Sequence, residues 1–184
     1  MKHPVVACLL AFLHFAPGAS AAPPASPYVG QEARDIKSLS LEDVNAYLSG
    51  KGMGLAKAAE LNGYPGPAHV LELASQLALT PEQRAKTEAL FASMESRAVA
   101  LGRALVEEER KLDRLFATKA ISPELLAGSL SEIGSLQAKV RGAHLEAHLA
   151  QVQILTPEQT SRYVQLRGNG SSGAHTGHGG QQKH

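Results

Sequence analysis

The 184-residue chain has no tryptophan, a single cysteine and only 4% aromatic residues. Few aromatics argue against a deep globular core, because those side chains bring the largest buried areas. A long helical assembly built on Leu and Ala is easier to support. The one cysteine, Cys8, lies in an apolar stretch near the N-terminus; once that stretch is removed, no disulfide and no thiolate metal ligand can form. Net charge is also scarce, with 18 Lys+Arg against 17 Asp+Glu, and loss of Lys2 brings the balance to zero. Nucleic-acid binding usually needs a strongly basic face, so that partner class is set aside. No G-x-S-x-G, H-E-x-x-H or comparable nucleophile–base set occurs, and the chain is read as no enzyme. The glycines in GKGMGL, from Gly50, lack the G-x-x-x-x-G-K-[ST] spacing and no strand leads into them. They are read as a turn.

Long hydrophobic runs are missing as well. Pro4–Ala16 (PVVACLLAFLHFA) is apolar over about 13 residues, against roughly 20 needed to span a bilayer. Lys2 and His3 precede it, Pro17-Gly18 breaks it, and Ala19-Ser20-Ala21 fits the small-residue cleavage rule. Residues 1–21 are therefore expected to be a cleaved secretory signal. The product is expected to be periplasmic, with no membrane span. Cys8 sits inside the apolar region rather than after it, which argues against lipoprotein processing.

What is present is helix punctuation. Residues 22–39 read as a proline-rich leader. Ser40-Leu41-Glu42-Asp43 is a helix start with a side-chain cap and acidic first turn, running to about Leu48. A glycine-rich turn, a short helix near Leu55–Leu61 and a stop at Asn62-Gly63 complete a segment 40–67. A helix is expected at Ala68–Leu77. The pentapeptide LTPEQ follows at Leu79–Gln83 and recurs at Leu155–Gln159. In each copy threonine is the N-cap, proline takes the first helical position, and glutamine at the third can reach back in a capping box.

From Pro81 the pattern stays helical to Thr118, with Leu90, Met94, Ala98, Leu101, Leu105, Leu112 and Leu115 on one stripe. The run Glu107-Glu108-Glu109-Arg110-Lys111 reads as a solvated face with Glu107 and Lys111 at a supporting i,i+4 spacing. Thr118–Ser122 breaks the pattern and Ser122-Pro123-Glu124 restarts it. The returning stripe is Leu126, Leu130, Ile133, Leu136, Val140, His144, His148, Val152 and Leu155. The fold class is thus all-α: a long antiparallel helical hairpin over 68–167 with short flanking helices. A lone hairpin leaves its outer faces exposed, so a homodimer forming a curved cradle is expected. Residues 168–184 are Gly/Ser/His-rich and read as a disordered tail. An antiparallel hairpin also brings its two LTPEQ copies together at the end opposite the 118–122 turn.

Two such copies at the two ends of one hairpin, behind a secretory signal, resemble the LTxxQ-motif family of bacterial periplasmic proteins, with its Spy/CpxP-like, ZraP-like and CnrX-type metal-sensor branches. The matching residues are Leu79, Thr80, Gln83, Leu155, Thr156 and Gln159, and the likeness covers about 68–167. The resemblance implies a dimeric helical cradle. It also implies one of three roles: ATP-independent holding of unfolded clients, repression of a stress-signalling membrane partner, or metal binding.

His144 and His148 share one helix face and could present two imidazoles to Zn²⁺, Cu²⁺, Ni²⁺ or Co²⁺. His69 could approach the same end, and Glu72 and Glu146 are candidate oxygen ligands. CnrX-type sensors bind metal in this region; here one histidine precedes the first LTPEQ and no methionine follows His144 by one turn. The other reading is that both helix histidines are hydrogen-bonded at a partly buried seam. The tail residues His175, His178 and His184 form a loose collector, as in ZraP-like members. The leading functional expectation is a Spy/CpxP-like envelope-stress chaperone that needs no cofactor. The alternative is a heavy-metal sensor or accessory protein.

Overall fold

The computed structural model describes residues 26–168. The signal-peptide reading, residues 22–25 and the tail with His175, His178 and His184 lie outside the described residues. Residues 26–32 form a small unit of turns, closed by Gln31 N–H to Tyr28 O at 3.0 Å. From residue 33 onward the described chain is helical, with no strand: α1 (Leu41–Leu48), α2 (Lys57–Leu61), α3 (Pro67–Glu72), α4 (Pro81–Ala117), α5 (Pro123–Val152) and α6 (Pro157–Leu166).

Each long helix starts where its cap dictates. Ser40 and Asp43 close a capping box on α1, Thr80 and Gln83 on α4, and Thr156 and Gln159 on α6. Ser122 accepts the Leu125 N–H at 3.2 Å to open α5, and Pro81, Pro123 and Pro157 occupy first-turn positions that need no N–H donor. At 37 and 30 residues, α4 and α5 run about 55 and 45 Å. Lys119, in the left-handed region at φ 56°, ends α4 and turns the chain back.

α4 and α5 pack as the antiparallel hairpin. Leu105, Ile133, Leu136 and Val140 form the mid-hairpin core, joined by Leu101, Leu112, Tyr47 and Leu55. The last two belong to the N-terminal segment, which lays a third layer on α4. α1 crosses α4 at Gly102, where an added Cβ would lie 2.3 Å from the Tyr47 carbonyl oxygen. Any side chain at that position pushes α1 off the hairpin. Ile36 is 2% exposed. The same strap is pinned by Lys37 to Asp113 at 3.0 Å, Ser38 to Glu109 at 2.8 Å and Arg110 to Asp35 at 3.0 Å.

That strap changes two expectations. The charged run at 107–111 is a docking edge rather than a fully solvated face. Within it Lys111 pairs with Glu108 and Arg110 with Glu107, both at i,i+3, in place of Glu107 with Lys111. Part of the outer surface that motivated a homodimer is also covered by the chain itself. Two local readings differ too. The Ala68–Leu77 helix stops at Glu72 and continues as turns, with Leu77 N–H to Leu73 O at 2.9 Å and Ala78 at φ 49°. Tightening there sends Leu73, Leu77 and Leu79 into the same cluster as Val70, Leu155 and Tyr163. On α5, Leu130 is 53% exposed while Ser129 is buried. Near the turn no third element covers the hairpin, so only the α4-facing line of α5 is buried.

Candidate functional site

The two LTPEQ copies meet at the open end and grip each other. Gln83 Nε2–H donates to Gln159 Oε1 at 2.8 Å, and Gln159 Nε2–H donates to Gln83 Oε1 at 3.0 Å. The remaining donor of each amide takes a backbone carbonyl just before the other motif: Gln83 to Ile154 O at 2.9 Å, Gln159 to Leu77 O at 3.2 Å. Each Oε1 also accepts its own N-cap N–H, from Thr80 at 3.1 Å and Thr156 at 2.9 Å. Both amides therefore use both donors and two acceptor positions. Leu79 and Leu155 pack in the cluster beneath. One step further in, Thr87 Oγ1 donates to Gln83 O at 2.8 Å and accepts Gln151 Nε2–H at 3.1 Å, both side chains fully buried.

Beside this clasp lies a cavity of about 520 Å³. The glycine turn 49–54, α2, the start of α3, α4 and α5 form its walls. All three histidines among the described residues, His69, His144 and His148, line it. Their ring nitrogens are used differently. His148 Nδ1 lies 2.8 Å from the Tyr64 carbonyl; a carbonyl only accepts, so Nδ1 carries the proton and a neutral ring leaves the Nε2 lone pair free. Gly66 permits that placement, since a Cβ there would stand 2.9 Å from His148 Nε2. His144 is 6% exposed and its Nε2 is buried without a hydrogen-bond partner. Burial, and then the neighbouring His148, holds the His144 pKa below its usual value, so its ring is neutral near pH 7.

His69 is engaged in a network around Glu60, a residue with no obvious signal in the sequence, whose Oε2 also lies 4.0 Å from His148 Nδ1. Tyr163 OH, fully buried, lies 2.7 and 2.9 Å from the two Glu60 oxygens, and Arg167 Nε–H donates to Oε1 at 3.0 Å. His69 Nδ1 stands 3.4 Å from Tyr163 OH and 3.8 Å from Glu60, and its Nε2 accepts from Arg167 at 3.4 Å. Burial and then the Glu60 hydrogen bond push the Tyr163 pKa well above that of a free phenol, so it stays a donor.

The expected carboxylates are elsewhere. Glu146 is 59% exposed and paired with Arg97, and Glu72 is not among the cavity walls. Among the described residues no group of three or more His, Cys, Asp or Glu side chains is placed to hold an ion by itself. The imidazole pair in the cavity wall is His144 and His148, one turn apart on α5, with His148 Nδ1 held by the Tyr64 carbonyl.

The structure is thus an all-helical hairpin sealed by paired capping glutamines, with the three histidines of the described residues on one cavity. Residues 47–162, more than half of the chain, match the heavy-metal-resistance family, and the chain belongs to it. No curated protein and no solved structure matches it. No helix among the described residues is long and apolar enough to cross a membrane.

Proposed function

We propose that the protein is a periplasmic heavy-metal-binding accessory or sensor protein in which His144 and His148 supply the first two ligands. One observation carries this reading: His144 and His148 stand one turn apart on α5 in the wall of one cavity, with His148 Nδ1 held by the Tyr64 carbonyl and His144 Nε2 buried without a hydrogen-bond partner. Zn²⁺, Cu²⁺, Ni²⁺ and Co²⁺ all accept such nitrogen donors. With only two fixed protein ligands the remaining positions stay open to water or to a rearranged His69, which suits a reversible sensor better than a structural site. Calorimetric titration of the metal-free protein is expected to show one stronger step that disappears in His144→Ala/His148→Ala. A weaker step from His175, His178 and His184 should persist. Gly66→Ala, which displaces the His148 ring without removing a ligand, should weaken the stronger step about 10-fold. Identical isotherms for wild type and the double variant exclude this site.

A second reading, an ATP-independent envelope chaperone, draws on a different part of the molecule. Phe116, Leu125 and Leu130, all near the 118–122 turn, are 55%, 47% and 53% exposed. Exposed apolar groups of that kind can hold unfolded segments weakly and reversibly. A homodimer would array two such ends. Suppression of aggregation of a reduced client is expected to fall several-fold in Phe116→Ser/Leu125→Ser/Leu130→Ser, with metal binding unchanged. Equal suppression by wild type and the triple variant rejects this surface.

A further inference from the structure

His144 Nε2 has essentially no exposed surface, so nothing reaches it unless a wall of the cavity moves. The walls are not held equally. α3 carries Pro67 and Val70 in the core, and α4 and α5 share the mid-hairpin cluster. By contrast, none of residues 51–64 is buried. α2, in the middle of that stretch, has five residues, an uncapped start at Ala56 and no buried side chain. A helix so short does not hold itself together.

The hydrogen bonds of residues 52–63 close on the segment itself. Leu55 N–H donates to Gly52 O at 2.7 Å, Lys57 N–H to Gly54 O at 3.0 Å and Gly63 N–H to Glu60 O at 3.2 Å; the Asn62 side chain returns to Ala58 O at 2.7 Å. Among the described residues, every hydrogen bond or ion pair from this segment to the helices around it is made by Glu60. Its carboxylate meets Tyr163 OH at 2.7 and 2.9 Å and Arg167 Nε at 3.0 Å, with His69 and His148 at 3.8 and 4.0 Å. Leu55 adds an apolar contact with the mid-hairpin cluster. Left-handed glycines bracket α2: Gly50 at φ 63° and Gly54 at 74° before it, Gly63 at 80° after it. Gly50 is seated on α4, where a Cβ would stand 3.1 Å from Val99 Cγ2, whereas Gly52 and Gly54 have open space around them. Glycines placed in this way absorb a backbone rotation at little steric cost.

We propose that residues 52–63 are a lid on the histidine cavity, fastened by Glu60 to Tyr163 and Arg167, whose opening gives access to His144. The lid explains how a ring nitrogen sealed in the closed form can still act as a ligand. That the guest it admits is a divalent cation rests on the function proposed above. The lid itself is tested without metal, so a titration that removed His144 and His148 as ligands would leave it standing.

Native-state hydrogen exchange of the metal-free protein separates a lid from global unfolding. The Ala59 and Glu60 amides are expected to exchange at least ~100-fold faster than those of Leu105 and Val140, at a rate that about 1 M urea barely changes. Glu60→Gln should speed the α2 amides a further ~5-fold, because charge-assisted hydrogen bonds are weakened. Leu55→Ala, which loosens the apolar tie, should act in the same direction. Leu112→Ala, about 25 Å along α4 from Glu95, should speed only the Leu105 and Val140 amides, since open and closed forms lose that packing alike. Carbethoxylation of His144 by diethyl pyrocarbonate, located by tandem mass spectrometry, should rise ~5-fold in Glu60→Gln and keep its wild-type rate in Leu112→Ala. Exchange of the α2 amides in step with Leu105 and Val140 overturns the proposal. So does labelling of His144 that ignores Glu60→Gln, or that Leu112→Ala accelerates as much.

Discussion

Alanine at Gln83 or at Gln159 is expected to lower the unfolding free energy by about 2–3 kcal/mol each, the sum of a lost cap and stranded polar groups. Either truncation removes both amide–amide hydrogen bonds, a bond to a backbone carbonyl and half of a capping box. It also leaves the opposite glutamine with one of its two donors unpaired, the other still bonded to a backbone carbonyl. For that reason the double variant should cost about 1–2 kcal/mol less than the two single costs added, because the second truncation removes a group already orphaned. Urea unfolding of the four proteins measures this directly. Strict additivity would show that the glutamines act only as two separate helix caps.

His144→Leu is expected to act in opposite directions on stability and on metal. At neutral pH the substitution removes a buried, unpartnered ring nitrogen and keeps apolar volume, so stability should be unchanged or rise by up to ~1 kcal/mol. The pH dependence follows from the lowered His144 pKa. On acidification the unfolded chain takes up this proton first, near the ordinary histidine value of about 6.5. The wild type therefore loses stability as pH falls below that value, until its own lower folded-state pKa is reached. Above that window the group contributes no such loss. His148 from α5, with Glu60 and His69 from the segments packed over the cavity, faces the same space; only the His144 share disappears in the variant. The difference in melting temperature, His144→Leu minus wild type, should thus widen from pH 7.5 to pH 5. Metal affinity should meanwhile drop at least about 10-fold at pH 7.5. Parallel pH profiles for the two proteins would remove His144 as the titrating group.

Much of this architecture can be read from the residues. Thr80-Pro81, Ser122-Pro123 and Thr156-Pro157 mark helix starts with local chemistry alone, so caps, hairpin and the meeting of the two LTPEQ copies follow from the chain. Placing His69, His144 and His148 near one end needed only helix periodicity and hairpin topology. What was not legible depends on contacts distant in sequence. Glu60 gains its place from Tyr163 and Arg167, more than 100 residues away, and no spacing rule connects them. Ile36 sits in a segment whose prolines and polar residues suggest a leader, yet its single apolar side chain fills a gap on the hairpin. Gln151 and Thr87 are buried polar residues recognisable only as a pair across two helices. Leu130 misleads for the converse reason: its periodicity is right, but no neighbour covers that turn of α5.

The glutamine clasp also has a kinetic meaning. The 118–122 turn joins α4 and α5 at small loop-closure cost, whereas Gln83 and Gln159 are 76 residues apart. Pairing of the arms is then expected to start at the turn and zip towards the open end, with the clasp among the last contacts to form. Interactions absent from the transition state slow unfolding and leave the folding rate almost untouched. The repeated pentapeptide is, on this account, a latch on lifetime: it sets how long the two arms stay shut, and how often the cavity beside it opens to solvent.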